Sequence, residues 1–421
     1  MKVTLFEQAP YRYLPADFEE RYDSVCDTPY SLVDPELAYT SMRSFLDELM
    51  AGARAGFDAL MVTEHGQSSY DLTPNPDIVA GALAYATEAE GLDVGIYPMG
   101  RTLGKTREPV RVAEEYAMLD LISGGRLIAG FPVGLSYDVT VNNGVPPIEG
   151  RGRFNENLEL VLRAWSDPEP FAWNGRHSRH PMVNIWPRPL QQPRPPVWVT
   201  GIGNPITMQM TLERDFGFNY FGFSGPKLTG KRIFPRFWDL VDQAGLPRNP
   251  YRVGFLQTIA VSETDERAER EYAPHVEYAY RKGLGAIPAH LLGIPGAVDI
   301  RGVEAILKDP GDLGMSRQMR GASYADIVGS GAVVIGSPAT VADQLVEFCT
   351  EYRIGNLHAM LGFGSMPKEL VLKNIALFSA EVLPRLRKVW SDSDSSTGTA
   401  FEHHWWPERL GGRARAKEAV A

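Results

Sequence analysis

A short apolar run that halts on polar residues recurs along this chain, and helices separate the recurrences. The clearest is FDALMVTEH, residues 57–65, in which a buried strand ends on Thr63, Glu64 and His65. It follows PELAYTSMRSFLDELMAGARAGF, a helix expected to run to Ala55 with Gly56 as its stop. Strand 2–6 precedes that pair, and helix 75–89 leads to strand 92–97. Helix 108–122 leads to strand 125–131; helix 153–166 and a Pro-rich crossing over 167–196 lead to strand 196–201. Helix 205–216 and strand 218–223, helix 231–244 and strand 251–263, and strand 354–363 with a closing helix complete the series. Alternation of strand and helix predicts parallel β/α units, and strands that are apolar throughout predict cover on both faces. Eight such units specify an α/β fold, a (β/α)8 TIM barrel.

The regular order breaks after helix 264–283. Residues of about 284–337 are expected to form an insertion after strand seven, on the side of the barrel where active sites lie. Two roles are open to it: a cover for substrate, or a surface embellishment. The barrel domain is therefore assigned to 1–390, including that insertion, and 391–421 to a C-terminal extension. The extension opens on the polar, flexible SDSDSSTG and continues into AFEHHWWPERL, whose paired tryptophans want a surface to dock on, in this subunit or a neighbour.

Composition narrows the function classes. A formal charge of −10 disfavours nonspecific binding to nucleic acid or to an anionic membrane. Two cysteines, Cys26 and Cys349, are too few for a disulfide framework or a cysteine metal cluster. HExxH is missing, and adjacent His403 and His404 have no ligand cluster around them, so no metal site is expected. The start carries no apolar signal-peptide core and no run approaches a membrane span, which makes the cytoplasm the expected location.

On the active face of such a barrel, Glu64 and His65 point in different directions if strand two stays extended. One enters the pocket and the other braces a loop; His65 is a candidate proton shuttle or else a satisfied buried histidine. Tyr97–Pro98 ends strand three, either as a cis bond that projects backbone toward the pocket or as a plain turn. Val133, Gly134 and Leu135 follow strand four, where glycine lets a flat ring approach. After strand five, Gly201, Gly203, Asn204 and Thr207 open a helix whose N-terminus suits a phosphate. Ile335–Gly336–Ser337 offers a second nest, with helix capping the better role for Ser337. No GxGxxG or GxxxxGK[ST] loop competes with a barrel-held phosphate.

The segments GFDALMVTEH (56–65), LDVGIYPMG (92–100), REPVRVAEEYAMLDLISGGRLIAGFPVG (107–134), PRPPVWVTG (193–201) and VIGSPATVADQL (334–345) occur in an order that resembles the bacterial luciferase-like, flavin-dependent monooxygenases. The resemblance covers most of residues 1–388. It implies a flavin pocket at the C-terminal face of the barrel, with His65 as the family's functional histidine and Glu64, Tyr97 and Pro98 among the flavin-contacting positions. Val133 stands where the family has an arginine on the flavin phosphate. Gly201–Ile202–Gly203–Asn204 replaces an acid–serine pattern, leaving backbone donors, Asn204 and Thr207 as substitutes. Gly66 replaces a second histidine, which argues against light emission.

The implied chemistry uses reduced FMN from a separate NAD(P)H-dependent reductase and molecular oxygen. It passes through a flavin C4a-(hydro)peroxide to oxygenate a small or medium organic substrate. A homodimer is implied as well. The alternatives are a deazaflavin-dependent hydride-transfer oxidoreductase of the same superfamily and a noncatalytic flavin-binding homologue.

Overall fold

The computed structural model describes residues 1–222, 226–283, 287, 291, 294, 296–297, 321–390, 393, 398 and 400–410, with the side chains of 226–228 excepted. Most of the expected insertion and part of the C-terminal extension lie outside the described residues.

Eight parallel strands form the barrel: β1 (Lys2–Glu7), β2 (Ala59–Val62), β3 (Gly95–Pro98), β4 (Ala129–Pro132), β5 (Val197–Gly201), β6 (Gly217–Tyr220), β7 (Val253–Val261) and β8 (Asn356–Met360). Neighbours pair in the order β3-β2-β1-β8-β7-β6-β5-β4, and a parallel bridge from Ile96 to Leu127 joins β3 to the approach of β4. The ring is nearly closed. Around it lie α1 (Pro35–Arg54), α2 (Pro76–Ala89), α3 (Pro109–Ile122), α4 (Gly150–Ser166), α5 (Pro205–Glu213), α6 (Pro226–Gln243), α7 (Asp265–Lys282), α8 (Pro338–Glu351) and α9 (Lys368–Leu377).

Local chemistry sets these boundaries. Asp34 caps α1 by accepting from the N–H groups of Glu36 and Leu37, with Pro35 at the first helical position. Gly56, at φ +87°, turns the chain from α1 toward β2. Alternate strand residues then divide two cores. Leu5, Leu60, Ile96, Phe131 and Val199 pack outward against helices, while Phe6, Met61, Tyr97, Met99 and Trp198 fill the barrel.

The filling includes a polar column. His358 donates from Nε2 to Asn219 Oδ1 at 2.7 Å, and Asn219 Nδ2 donates to the Tyr97 hydroxyl at 2.6 Å. Burial lowers the His358 pKa to about 3, so this imidazole stays neutral.

The lower mouth of the barrel is sealed by the C-terminal segment. Trp198 donates its indole N–H to the carbonyl of Trp405 at 2.7 Å, and Trp406 donates to Asn356 Oδ1 at 2.8 Å. Both tail tryptophans are buried, and the Arg252 guanidinium lies 4.8 Å from the Trp405 ring. The paired aromatics thus dock on the barrel of their own chain.

Two expectations change, the expected capping by Ser337 is found, and the open choice at Tyr97–Pro98 is decided. The Pro-rich crossing contains an antiparallel hairpin, Phe171–Asn174 with Arg179–Val183, held because Glu156 accepts from the N–H groups of Arg176, His177 and Ser178 at its turn. The end of the expected insertion is a strand, Val333–Gly336, that pairs in parallel with the outer half of β7 from Thr258 to Val261. Ser337 caps α8 by accepting from Thr340 N, so the expected nest serves the helix. Tyr97–Pro98 is not cis; among the described residues the cis bonds are Trp186–Pro187 and Gln192–Pro193.

Candidate active site

The strand ends at the upper mouth carry the charged residues. Beyond β2 the chain diverges as alternation requires. Glu64 turns into the wall, where its Oε2 accepts from Thr102 N at 2.8 Å and Lys105 Nζ approaches its Oε1 at 3.5 Å. Burial raises the Glu64 pKa against the pull of Lys105. Gly100 permits this packing, since a Cβ there would sit 2.1 Å from Glu64 N.

His65 turns the other way. Its Nδ1 lies 2.9 Å from Asp138 Oδ2 and 3.2 Å from the Tyr137 hydroxyl, and that hydroxyl also bonds Tyr70. Both Tyr137 and Asp138 sit in a π-helical turn, Tyr137–Val141, just beyond β4. The loop after β2 is pinned by His65 N donating to Thr73 O and by Leu72 N donating to Ala9 O. With Nδ1 engaged, Nε2 is the ring nitrogen left for a ligand, and the side chain keeps 13 % exposure. Burial alone pushes the His65 pKa down, but the Asp138 carboxylate, its hydrogen bond and Asp71 push harder, and the net shift is upward. Asp71, buried beneath this cluster, is itself raised to about 6 by burial.

Around the ends of β4 and β5 the predicted residues take distinct places. Val133 is half-buried against the helix-side core and donates its N–H to Thr200 O at 3.3 Å. Gly134 adopts φ +96°, and a Cβ there would press to 2.5 Å from Thr102 Cγ2, so glycine is needed for backbone shape and space alike. Leu135 packs with Tyr11, Leu14 and Tyr137 in an apolar cap over this side of the mouth. Asn204 spends its side chain as the N-cap of α5, accepting from Ile206 N at 2.9 Å, with left-handed Gly203 before it. Thr207 lies in the first turn, and Arg151 Nη2 donates to its hydroxyl at 3.1 Å. Gly201 stands beside Thr207; a Cβ added there would meet Thr207 Cγ2 at 3.5 Å, an ordinary van der Waals contact.

Tyr97 and Pro98 close β3. Tyr97 is buried inside the barrel, its hydroxyl held by Asn219, and Pro98 pairs in register with Val62 within the wall. Sequence reasoning passed over Asp138, Tyr137, Tyr70 and Arg151. Asp138 closes the PVGLSYD stretch after strand four, and Arg151 lies just ahead of where α4 was expected to start. Their signal was position after a strand end rather than any motif. Among the described residues no three His, Cys, Asp or Glu side chains are placed to hold a metal. No helix among them is long and apolar enough to cross a membrane.

Residues 31–352 match the family described as Luciferase-like monooxygenase. The chain belongs to this family. It is an enzyme family, and the match spans α1 through α8. A stretch of 149 residues is 30 % identical to the oxygenase component of the flavin-dependent trigonelline monooxygenase of Acinetobacter baylyi, covering 35 % of this chain and 39 % of that protein. The fold is similar to that of the oxygenating constituent of 3,6-diketocamphane monooxygenase from Pseudomonas putida, solved with FMN, at TM-score 0.66 and 18 % identity over 91 % of this chain and 98 % of that one. It is also similar to the coenzyme F420-dependent tetrahydromethanopterin reductase of Methanopyrus kandleri, at TM-score 0.57 and 19 % identity over 82 % and 95 % of the two chains. In this luciferase-like family the upper mouth, with His65 at its edge, is the candidate active site.

Proposed function

We propose that this luciferase-like enzyme is the oxygenase component of a two-component flavin monooxygenase. It takes reduced FMN from a separate NAD(P)H-dependent reductase and uses molecular oxygen to oxygenate a small or medium organic substrate. The observation that carries the reading is the donor set at the mouth: Arg151 and Thr207 at the N-terminus of α5 on one side, and the His65–Asp138 pair on another.

That donor set fits FMN. A guanidinium, a hydroxyl and a helix N-terminus are the groups a phosphate monoester requires. Arg151 thus takes the place of the arginine missing at Val133. When bound, the reduced flavin supplies the activation of oxygen. The chain's own residues orient, exclude water and handle protons. Asp138 holds Nδ1 of His65 and keeps the ring in one orientation, so that Nε2 can hold or deliver a proton. The cap of Leu14, Leu135, Tyr70 and Tyr137 keeps that corner dry.

The role of the Acinetobacter relative as an oxygenase component supports a separate reductase. We extend the reading to a cytoplasmic homodimer without nucleic-acid or membrane partners, which sedimentation and fractionation test. The deciding experiment is anaerobic titration with reduced FMN and with reduced F420, a deazaflavin, followed by oxygen. Tight binding of reduced FMN, with oxygen uptake coupled to a modified organic product, is expected. Selective binding of the deazaflavin without oxygen consumption would replace the reading with hydride transfer. Flavin binding with no substrate-dependent turnover would reduce the chain to a flavin-binding homologue.

A further inference from the structure

A groove of about 550 Å³ runs between α1 and the start of α9, beside the segments that follow β1 and β8. None of its lining residues is among those described above at the flavin mouth. Its volume is in the range of small-molecule sites, ~300–1,000 Å³. Three cations line it, Arg12, Arg43 and Lys368, against one acid, Glu369. Glu48 and Asp47 pair with Arg12 and Lys368 beside the lining, so the overall balance is even and the charge the groove offers is that of Arg43.

The three cations are not equivalent. Arg12 is held by a two-pronged ion pair to buried Glu48, at 3.0 and 2.8 Å, and Lys368 by Asp47. Those carboxylates neutralise and also immobilise their partners. Arg43 is exposed and makes no ion pair among the described residues, so its charge is the uncompensated one. Two tyrosines flank the groove with unusually open rings, Tyr13 at 42 % and Tyr39 at 63 % exposure. Tyr39 and Arg43 are four residues apart on α1 and therefore share a helix face. Ser365, whose hydroxyl is 2.9 Å from His275 Nδ1, fixes the opposite lip.

We propose that this groove is a second binding site, taking a small anion that carries a planar ring and is no larger than a mononucleotide. The tyrosine rings offer stacking faces, and Arg43, beside pre-positioned Arg12 and Lys368, receives the anionic group. Its lining residues differ from those described at the neighbouring flavin mouth, and it does not depend on the identity of the flavin.

The test is equilibrium dialysis of the full chain, preloaded with FMN, against AMP, adenosine and inorganic phosphate. AMP is expected to saturate one site, with adenosine and phosphate each bound at least about tenfold more weakly. Arg43→Glu is expected to weaken AMP by at least about tenfold, or ~1.4 kcal/mol. Tyr39→Ala is expected to weaken AMP and adenosine while leaving phosphate unchanged, and both side chains are exposed enough for the variants to fold. Absence of saturable AMP binding would overturn the proposal. So would AMP binding that survives Arg43→Glu and disappears with Arg151→Ala, because it would then belong to the flavin phosphate site.

Discussion

The two mouths of the barrel are built from opposite materials. At the lower mouth Trp198, Trp405 and Trp406 close the opening, and the charged groups there are consumed internally: Arg126, almost fully buried, donates to Ser123 O and Val94 O and reaches Glu88. At the upper mouth, charged side chains are braced rather than buried in aromatic rings, and Nε2 of His65 is left unspent. The two histidines make the same point. His358, inside the barrel with only neutral partners, is driven to the neutral form; His65, beside Asp138, is driven toward the charged one. Burial acts on both, and at His65 the Asp138 carboxylate with its hydrogen bond, helped by Asp71, reverses the outcome. The lower end is arranged for stability and the upper end for chemistry, as barrels of this class divide their ends.

The strongest way to break this contrast is at the sealed end. Trp405→Ala removes a buried indole while leaving the residue 405 carbonyl to accept from Trp198, and is expected to cost ~3–5 kcal/mol of stability by chemical denaturation. Affinity for reduced flavin should stay near that of the parent; a large loss there would show that the two ends are coupled. At the open end the effects exchange places. His65→Ala is expected to lower the rate of product formation by ~10²–10⁴, with a loss of stability confined to that of the His65–Asp138 pair. Unchanged product formation with intact flavin binding would remove His65 from the chemistry.

A smaller effect tests the phosphate site. Arg151→Ala should lose one charge-assisted contact, ~1.5–3 kcal/mol, and so weaken FMN while leaving riboflavin affinity as it was, measured by fluorescence quenching. Equal loss for both flavins would place Arg151 elsewhere. The finest test sharpens the histidine comparison. In Asp138→Asn the carboxylate that overrides burial is gone, so the His65 pKa should fall, followed by NMR titration of the ring. A histidine whose pKa is raised on folding stabilises fully below its unfolded pKa and loses that contribution as pH rises through its folded one. The variant should flatten this limb of the stability profile, whereas His358→Asn should leave it in place.

How far the sequence could be read depended on range. Strand ends and helix starts were legible because local signals set them: Asp34–Pro35, Asn75–Pro76, Asn204–Pro205 and Ser337–Pro338 are all caps followed by proline, and each opens a helix. The opposite orientations of Glu64 and His65 followed from the period of a strand. The hairpin at 171–183 was hidden by prolines around it, and its turn is held by Glu156 from another element. Val333–Gly336 was hidden because a four-residue apolar run acquires its meaning only from the strand it pairs with.

Site partners were hidden for the same reason. Asp138 is 73 positions from His65, and Arg151 is 56 from Thr207, so no spacing rule connects them. Periodicity and capping are properties of neighbours along the chain, and they determined the barrel, its active face and the candidacy of His65. Which nitrogen of His65 is held, which cation meets the α5 N-terminus and where the tail tryptophans dock depend on contacts between distant segments. Only closure of the barrel brings those segments within bonding distance.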